Sequence, residues 1–263
     1  MTAVFLAVAG FALLVAVLWL IGAREPVLRE KGPVWFIAMR GGDGALAPHA
    51  RKLWSSTADQ VFIGGGDDPY WTWFIIAAGD CATPLVTESF DDAYVARVRL
   101  FAPPRIALGL IRVLVASGIL SRPSTENIAT DAQSIGFKPD HMPSARAISQ
   151  LLVRPATYAP AMVNFLRYTR DGAGRADYRK YGIVAMRTVF RTGGALLFYG
   201  AVTEIVRHAK AWPAGSLWHD VAAMRYPSPP AILSMEHVPA YRAALVHRDA
   251  GLERTVVIAS TPT

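Results

Sequence analysis

The chain closes with AYRAALVHRDAGLERTVVIAST, residues 240–261, in which a helical segment leads directly into a strand. Alanine, leucine and arginine between 240 and 248 favour a helix. Gly251 interrupts that helix, and the valine and isoleucine run at 256–258 has the β-branched composition of a buried strand. This helix-then-strand ending indicates how the rest of the second half is organised.

The second half predicts four strands and two helices in the order β-α-β-β-α-β. Gly193 and Gly194 form a stop signal for the first helix. Apolar runs with strand-like composition precede and follow it. The predicted strands are AMVNFLRYT at 161–169, ALLFYGAVTEIVR at 195–207, LWHDVAAMRYP at 217–227 and RTVVIAST at 254–261, and the predicted helices cover 175–194 and 229–252.

The first half predicts the same order. Its predicted strands include GPVWFIAMRGG at 32–42, QVFIGGG at 60–66 and YWTWFIIAAG at 70–79, and its predicted helices are ALAPHARKLWSS at 45–56 and SFDDAYVARVRLF at 89–101. Several residues match between the halves after one loop residue is gapped. The matches pair Val34, Phe36, Gly44 and Arg51-Lys52 with Val163, Phe165, Gly172 and Arg179-Lys180, and Ala93-Tyr94 with Ala240-Tyr241. Together they predict an internal duplication of a ferredoxin-like unit.

Five motifs follow one another between residues 161 and 260: MVNFLRY, ADYRKYG, RTGG with FYG, LWHDVAAMRYPS and the closing stretch. In this order and spacing they resemble a bacterial domain family of unknown function within the dimeric α/β-barrel superfamily. The chain departs from that pattern at Phe165, where leucine is common, and at Pro229-Pro230, where the helix usually begins with Arg-Ala. The resemblance implies two ferredoxin-like units packed sheet to sheet as a barrel, with a cleft between each sheet and its helices.

The expected fold is therefore α+β, with an N-terminal transmembrane helix followed by two tandem ferredoxin-like units that form an intramolecular dimeric α/β barrel. The predicted segments are an anchor at 1–23, a linker at 24–32, a first unit at 33–131 with an inserted apolar helix at 104–120, a linker at 132–158 and a second unit at 159–263.

The anchor is predicted from residues 2–23, which contain no charged side chain. At about 1.5 Å per residue this segment is long enough to cross a bilayer core of roughly 30 Å. A cleaved secretory signal is the alternative, but the small residues of a cleavage site are not convincingly present at 21–23. The basic residues that follow the span place the bulk of a single-pass protein in the cytoplasm, and they are Arg24, Arg29, Lys31 and Arg40.

Composition narrows the classes of partner. The chain has 27 lysine and arginine residues against 20 acidic ones, a net charge of +7, and no basic stripe interleaved with aromatic residues. We therefore expect attraction to the anionic lipid bilayer and no nucleic-acid partner. The single Cys81 cannot form an intramolecular disulfide, which is consistent with a reducing compartment. The six histidines lack metal-binding spacing, so no metal site is predicted.

Candidate site residues come from the second half, because the first half lacks the corresponding polar motifs. Asn164 can hold a ligand carbonyl or bond to backbone. Asp220 can form an ion pair with Arg167 or Arg248, or act as a base or orienting group. His247 can be a general base, a haem ligand or a packed helix residue. The full set of ligand-pocket candidates is Asn164, Arg167, Tyr178, Trp218, Asp220, Arg225, Tyr241, His247 and Arg248.

The inserted helix has an arginine-bearing stripe. Helical spacing places Arg105, Gly109, Arg112 and Ala116 on one face, with apolar residues around the rest. The helix can lie in the core or in the membrane interface beside the anchor. In the second case the expected membrane contacts are Phe5, Leu13, Trp19, Arg24, Arg105 and Arg112.

The expected function is a membrane-anchored, non-catalytic module on the cytoplasmic face that binds a small apolar molecule or assembles with a membrane protein partner. The alternative is a cofactor-independent oxygenase or isomerase that uses Asn164, Asp220 and His247 on an apolar or aromatic substrate. A further alternative is haem binding through His247, and otherwise no cofactor is predicted. Convergence of the three candidate catalytic side chains on one cavity separates the enzyme from the binding module.

Overall fold

A computed structural model describes residues 2–42, 45–64, 69–86, 90–126, 138–210, 212 and 217–263, with side chains from residue 7 onward. Eight strands and six α-helices are present in this part of the chain. The strands are β1 (Val34–Arg40), β2 (Arg51–Ile63), β3 (Trp73–Ala78), β4 (Asp92–Leu100), β5 (Ala161–Tyr168), β6 (Ala195–Arg207), β7 (Asp220–Arg225) and β8 (Leu252–Pro262). The helices are α1 (Thr2–Ala23), α2 (Arg105–Ala116), α3 (Ala145–Leu152), α4 (Arg175–Arg191), α5 (Pro229–Leu233) and α6 (Pro239–Gly251).

All eight strands close into one antiparallel barrel in the order β1-β3-β2-β8-β5-β7-β6-β4. Each half contributes four adjacent strands with the same internal order. The two sets join where β2 pairs with β8 and where β4 pairs with β6. The expected α+β fold of two packed ferredoxin-like units is wrong, because a single closed β-barrel with helices packed around it is found instead.

The largest error lies in the first half, where both predicted helices are strands. Residues 92–100 of the segment expected as a helix at 89–101 form β4, and half of the one expected at 45–56, residues 51–56, belongs to β2. Residue 89 lies outside the described residues. In β4 the side chains of Tyr94, Ala96 and Val98 face the barrel interior while those of Ala93 and Val95 face outward. This alternation has the period of two that a strand requires. The acidic residues at the start of the segment made the alternation hard to recognise in the sequence.

The residue matches between the halves are also largely wrong. Ala93-Tyr94 lies in β4 but Ala240-Tyr241 lies in α6, and Arg51-Lys52 lies in β2 but Arg179-Lys180 lies in α4. The matches at Val34 and Phe36 do fall on corresponding strands, β1 and β5. The duplication itself stays a prediction.

The barrel interior is filled with aromatic side chains. Phe165 of β5 is fully buried, and its ring centroid lies 5.4 Å from that of Phe36 on the opposite half. Phe74, Trp212 and Trp218 surround the same ring at 5.0 to 6.0 Å. Aromatic rings at these distances pack edge to face, so they join the two halves into one core.

Loop residues cover the outer face of β1, β3 and β4. Trp35 and Ile37 point outward from β1 and are fully buried by neighbouring loop residues. The indole nitrogen of Trp35 donates to the Gly79 carbonyl at 3.0 Å, and Leu46 and Leu85 form an isolated bridge across the same face.

The outer face of the second-half strands is covered by α4 and α6, with α3 and α5 at one side. Helix α3 falls within the linker expected at 132–158, of which 132–137 lie outside the described residues. Ser144 caps α3 by accepting a hydrogen bond from the Ala147 backbone at 3.0 Å. Ile148 and Leu151 of α3 are buried against this face, so the segment is part of the folded core.

Residues 2–23 form the helix α1, but the expected transmembrane anchor is wrong. Among the described residues, no helix is both long enough and apolar enough to cross a membrane. The expected single-pass membrane location on the cytoplasmic face is contradicted by the same finding. Instead, α1 packs along α2, and its Leu18 is buried there.

The arginine-bearing stripe of α2 is the surface that contacts α1. A side chain at Gly109 would meet the Leu18 carbonyl oxygen, and one at Gly22 would meet the Arg105 carbonyl oxygen, so two glycines permit the close approach. The Arg105 guanidinium lies 4.8 Å from the Trp19 ring centroid. The glycine and arginine residues of the stripe are therefore explained by the packing of α2 against α1.

Of the six side chains expected to contact a membrane, Trp19, Arg105 and Arg112 contact other side chains of the protein. Arg112 forms an ion pair with Glu25 at 2.6 Å and donates to the Gly194 carbonyl at 2.8 Å. Leu13 and Arg24 are exposed, and the side chain of Phe5 lies outside the described residues. Arg112 therefore ties α2 to the end of α4.

Candidate functional site

A partly open cavity of about 330 Å³ lies between the outer face of the second-half strands and helices α4 and α6. We call it the outer pocket. Strand alternation puts Met162, Asn164 and Leu166 of β5 on its floor, together with Ala222 and Met224 of β7. The side chains of α4 and α6 form its roof, and residues 141–143 and 232–237 contribute to its wall.

Five tyrosines contribute to the lining of the outer pocket. The Tyr181 and Tyr241 hydroxyls lie 3.2 Å apart and bond to each other. The Tyr178 ring stands 5.4 Å from the Tyr181 ring, centroid to centroid. The complete set of tyrosines that line the cavity is Tyr178, Tyr181, Tyr199, Tyr226 and Tyr241.

Burial keeps the hydroxyls of Tyr178, Tyr199 and Tyr241 neutral. Loss of solvent raises the pKa of Tyr178 and of Tyr241 well above the ordinary value. The same cause, with help from the nearby Asp220 carboxylate, raises the pKa of Tyr199. Each side chain is therefore a neutral hydrogen-bonding group near neutral pH.

Arg248 of α6 is a buried cation on the wall of the outer pocket, and only 5% of it is exposed. Its Nε donates to Asp249 Oδ1 at 3.2 Å. Asp249 also accepts from the Lys138 backbone at 2.7 Å and lies 3.1 Å from His141 Nδ1. Asp249 thus holds the loop at 138–143 against α6 and keeps the Arg248 side chain in place.

Glu236 is the acidic group on the wall. Burial raises the pKa of its carboxyl above the ordinary value of 4.5, while the positive charges of Arg248, Arg242 and His237 oppose that shift. No ion pair within 4 Å joins Glu236 to a basic side chain among the described residues. The Glu236 carboxyl therefore keeps its proton to a higher pH than a carboxyl in free solution does.

We expect Glu236→Gln to remove one component of the pH dependence of stability. The folded protein holds the Glu236 proton to a higher pH than the unfolded chain does, because its pKa is raised on folding. Its stabilising contribution is therefore present below pH 4.5 and is lost as the pH rises through the folded pKa. Urea unfolding of both proteins from pH 4 to 8 measures this. A difference between them that does not change with pH would contradict the assignment.

Asp220 is buried beside the pocket and accepts several hydrogen bonds. The Tyr168 hydroxyl donates to Oδ2 at 2.5 Å, the Tyr199 hydroxyl donates to the same oxygen, and Arg175 donates to Oδ1 at 2.7 Å. His219 stacks on Tyr168, and its Nδ1 accepts from the Tyr168 backbone at 3.0 Å. An ion pair was one of the two roles expected of Asp220. It forms one, but the partner is Arg175 and not Arg167 or Arg248.

The structure brings together four of the nine pocket candidates. Asn164, Tyr178, Tyr241 and Arg248 line the outer pocket. The other five lie elsewhere. Arg167 pairs with Glu253, Trp218 is in the barrel interior, Asp220 is behind Tyr199, Arg225 is exposed at the end of β7, and His247 is half-buried on α6 away from the cavity.

The three candidate catalytic side chains do not meet around one cavity. Asn164 faces the outer pocket, where its Nδ2 donates to the Met162 carbonyl at 2.7 Å. Asp220 is enclosed by its own hydrogen-bond partners, and His247 does not line the cavity. β7 begins only at Asp220, so strand alternation does not extend to Trp218, which lies in the barrel interior.

Several residues of the site were missed by sequence reasoning. His141 and Asp249 come from a loop and a helix end that are 108 positions apart, so no local pattern links them. Tyr181 was identifiable, because it follows Tyr178 by three positions and shares its helix face. Glu236 stands beside a proline-rich helix start and has no distinguishing neighbour in the sequence. Across the described ranges, no group of three or more metal-ligating side chains is present.

No family model matches the chain. No curated protein matches it either. It is similar to the crystal structure of a protein of unknown function from Rhodopseudomonas palustris, with 24% identity over 44% of this chain and 92% of that one, and a TM-score of 0.39. The methylated form of that protein gives 25% identity, 46% and 93% coverage, and a TM-score of 0.40. Scores this low carry no argument, so the resemblance to dimeric α/β-barrel proteins stays a prediction.

Proposed function

We propose that the protein binds a small, mainly apolar molecule in the outer pocket. The observation that carries this proposal is the partly open cavity of about 330 Å³ between the second-half strands and their helices. Pockets that bind small molecules have volumes of roughly 300 to 1,000 Å³ and combine apolar walls with a few polar groups. The outer pocket has this combination, because methionine, leucine and alanine line it together with tyrosine, Asn164 and Arg248.

The energetics of packing support a ligand role for this space. Protein interiors are close-packed, and an unfilled cavity costs roughly 24 cal/mol for each Å³ when it results from a core truncation. The neighbouring barrel interior is filled by aromatic rings, so large side chains pack well elsewhere in this chain. Small residues, Gly182, Ala185 and Ala222, stand at the wall of the outer pocket instead.

A fluorescent probe and a cavity-filling variant test the proposal. The probe is N-phenyl-1-naphthylamine, which is neutral and apolar and fluoresces strongly out of water. We expect it to bind the wild-type protein and to bind Ala185→Trp at least about tenfold more weakly, because the indole fills the space that the probe needs. Titration by fluorescence measures both affinities.

Ala176→Trp is the matched control, because Ala176 lies on the same helix but is exposed. It is expected to bind the probe as the wild type does. Ala222→Leu fills the cavity from the strand side and covers the case in which Ala185→Trp does not fold. Equal binding by the wild type and by folded cavity-filling variants would refute the proposal.

The alternative functions have less support. An oxygenase or isomerase that uses Asn164, Asp220 and His247 needs these side chains around one substrate, and they lie apart. Haem binding through His247 needs an apolar slot at that residue, and His247 lies outside the outer pocket. No specific contact favours a role in assembly.

A further inference from the structure

The wall of the outer pocket contains a buried cation whose hydrogen-bonding capacity is only partly used. A guanidinium has five N–H donors. For Arg248, Nε bonds to Asp249, and one terminal amino group lies 3.0 Å from the Met142 sulfur, which is a weak acceptor. Within the part of the chain that the structure describes, neither terminal amino group donates to an oxygen atom. Because Arg248 also lines the cavity, these donors can bind an oxygen acceptor supplied from it.

The neighbouring carboxylate does not supply that acceptor. Asp249 uses Oδ1 for Nε of Arg248 and for His141, and it uses Oδ2 for the Lys138 backbone. It therefore fixes the side chain from behind and leaves the two terminal amino groups unpaired by oxygen. The guanidinium carbon lies 5.9 Å from the Tyr181 ring centroid, which further restricts the plane of the group. A planar fork held in this way matches the two oxygens of a carboxylate.

The remainder of the cavity requires an apolar body. Its floor and roof away from Arg248 are formed by carbon and sulfur atoms of Met162, Leu196, Met224, Met186 and Val257. The lining holds Arg248 and the exposed Arg242 against the carboxyl of Glu236, and this balance does not suit a doubly charged phosphate. The charge balance favours a ligand with one negative charge.

We propose that the ligand of the outer pocket is a small monocarboxylic acid with an apolar or aromatic body, and that Arg248 binds its carboxylate through the terminal amino groups. This inference rests on the proposed function, since it names the class of molecule that the same cavity binds. The carboxylate occupies the Arg248 end, and the body lies between β5, β7 and α4.

A matched pair of competitors tests the proposal against a neutral reporter. N-phenyl-1-naphthylamine is bound first and is then displaced with 4-phenylbutanoate or with 4-phenylbutanamide, which have nearly the same shape but differ in charge. We expect the acid to displace the reporter at a concentration at least about tenfold lower than the amide does, because charge-assisted hydrogen bonds form only with the acid.

Substitutions identify the residue responsible. In Arg248→Met the reporter is expected to bind as before while the preference for acid over amide is lost. Arg242→Met tests the other arginine of the lining, which is exposed, and Arg179→Met, on α4 but outside the lining, is the control; both are expected to keep the preference. Arg248→Lys retains the charge without the fork and is expected to retain only part of the preference. It serves as the second variant if Arg248→Met does not fold.

The outcomes separate the two proposals. Reporter binding with equal displacement by acid and amide overturns the carboxylate proposal and leaves the binding function standing. A preference that is lost in Arg242→Met but kept in Arg248→Met overturns the role of Arg248. Failure of the reporter to bind, together with no effect of either competitor on the thermal unfolding of the wild type, overturns both.

Discussion

Phe165→Ala is expected to destabilise the protein by about 3–5 kcal/mol, the range for truncating a buried phenylalanine. Phe165 is fully buried, and its ring contacts aromatic side chains from both halves of the barrel. Removing it leaves a cavity where Phe36 of β1 meets β5, and rigid aromatic neighbours cannot fill that space. The free energy of unfolding from urea denaturation, followed by far-UV circular dichroism, measures the loss.

Phe101→Ala is the matched control, because Phe101 is 63% exposed after the end of β4. Its truncation is expected to change the free energy of unfolding by less than about 0.5 kcal/mol. Similar losses for the two variants would show that the ring of Phe165 does not join the two halves as described. The magnitude applies if unfolding is a two-state transition, which coincident fluorescence and circular dichroism curves establish.

The second large effect is expected for Asp220→Ala, at about 3–5 kcal/mol. The carboxylate is buried and accepts hydrogen bonds from the hydroxyls of Tyr168 and Tyr199 and from Arg175. Without the carboxylate, the Tyr168 and Tyr199 hydroxyls, which lie 2.9 Å apart, have only each other as partners. A buried donor that loses its acceptor costs about 1–3 kcal/mol. Arg175 is half exposed, so its ion pair contributes little of the total.

Glu253→Ala is the control for Asp220→Ala. Glu253 forms an ion pair with Arg167 at 3.1 Å, but both side chains are in contact with solvent. Its loss is expected to cost less than about 1 kcal/mol. Urea unfolding at pH 7 compares the two variants, and equal losses would rule out the buried network as a major contribution to stability. Because Tyr199 lines the outer pocket, Asp220→Ala is also expected to weaken binding of N-phenyl-1-naphthylamine.

The candidate site was partly predictable from the sequence. The second-half strands and helices were placed closely enough to locate Asn164, Tyr178, Tyr241 and Arg248, which all line the outer pocket. Local patterns were sufficient there, because β5 alternates with a period of two and α4 ends at Arg191, two residues before Gly193, whose φ is positive. His141, Asp249 and Glu236 were not predictable, because their chemistry depends on contacts between distant segments.

The first half shows where local patterns mislead. Residues 45–56 and 89–101 have short runs of alanine, leucine and charged residues that are compatible with either a helix or a strand. Hydrogen bonding to a strand on each side selects the strand conformation. β4 pairs with β1 and β6, and β2 pairs with β3 and β8. Strand preference depends on such neighbours far more than helix preference does.

The sequence by itself determined the positions of most strands, the helices of the second half and the continuous apolar helix at 2–23. These features follow from interactions within one turn or between alternate residues, so a local pattern encodes them. Only the tertiary structure decided that eight strands close into one barrel, that α1 packs on the glycine-bearing face of α2, and that Arg248 faces a cavity with its terminal amino groups unpaired by oxygen. Those outcomes depend on hydrogen bonds and packing between segments far apart in the chain, which no local pattern records.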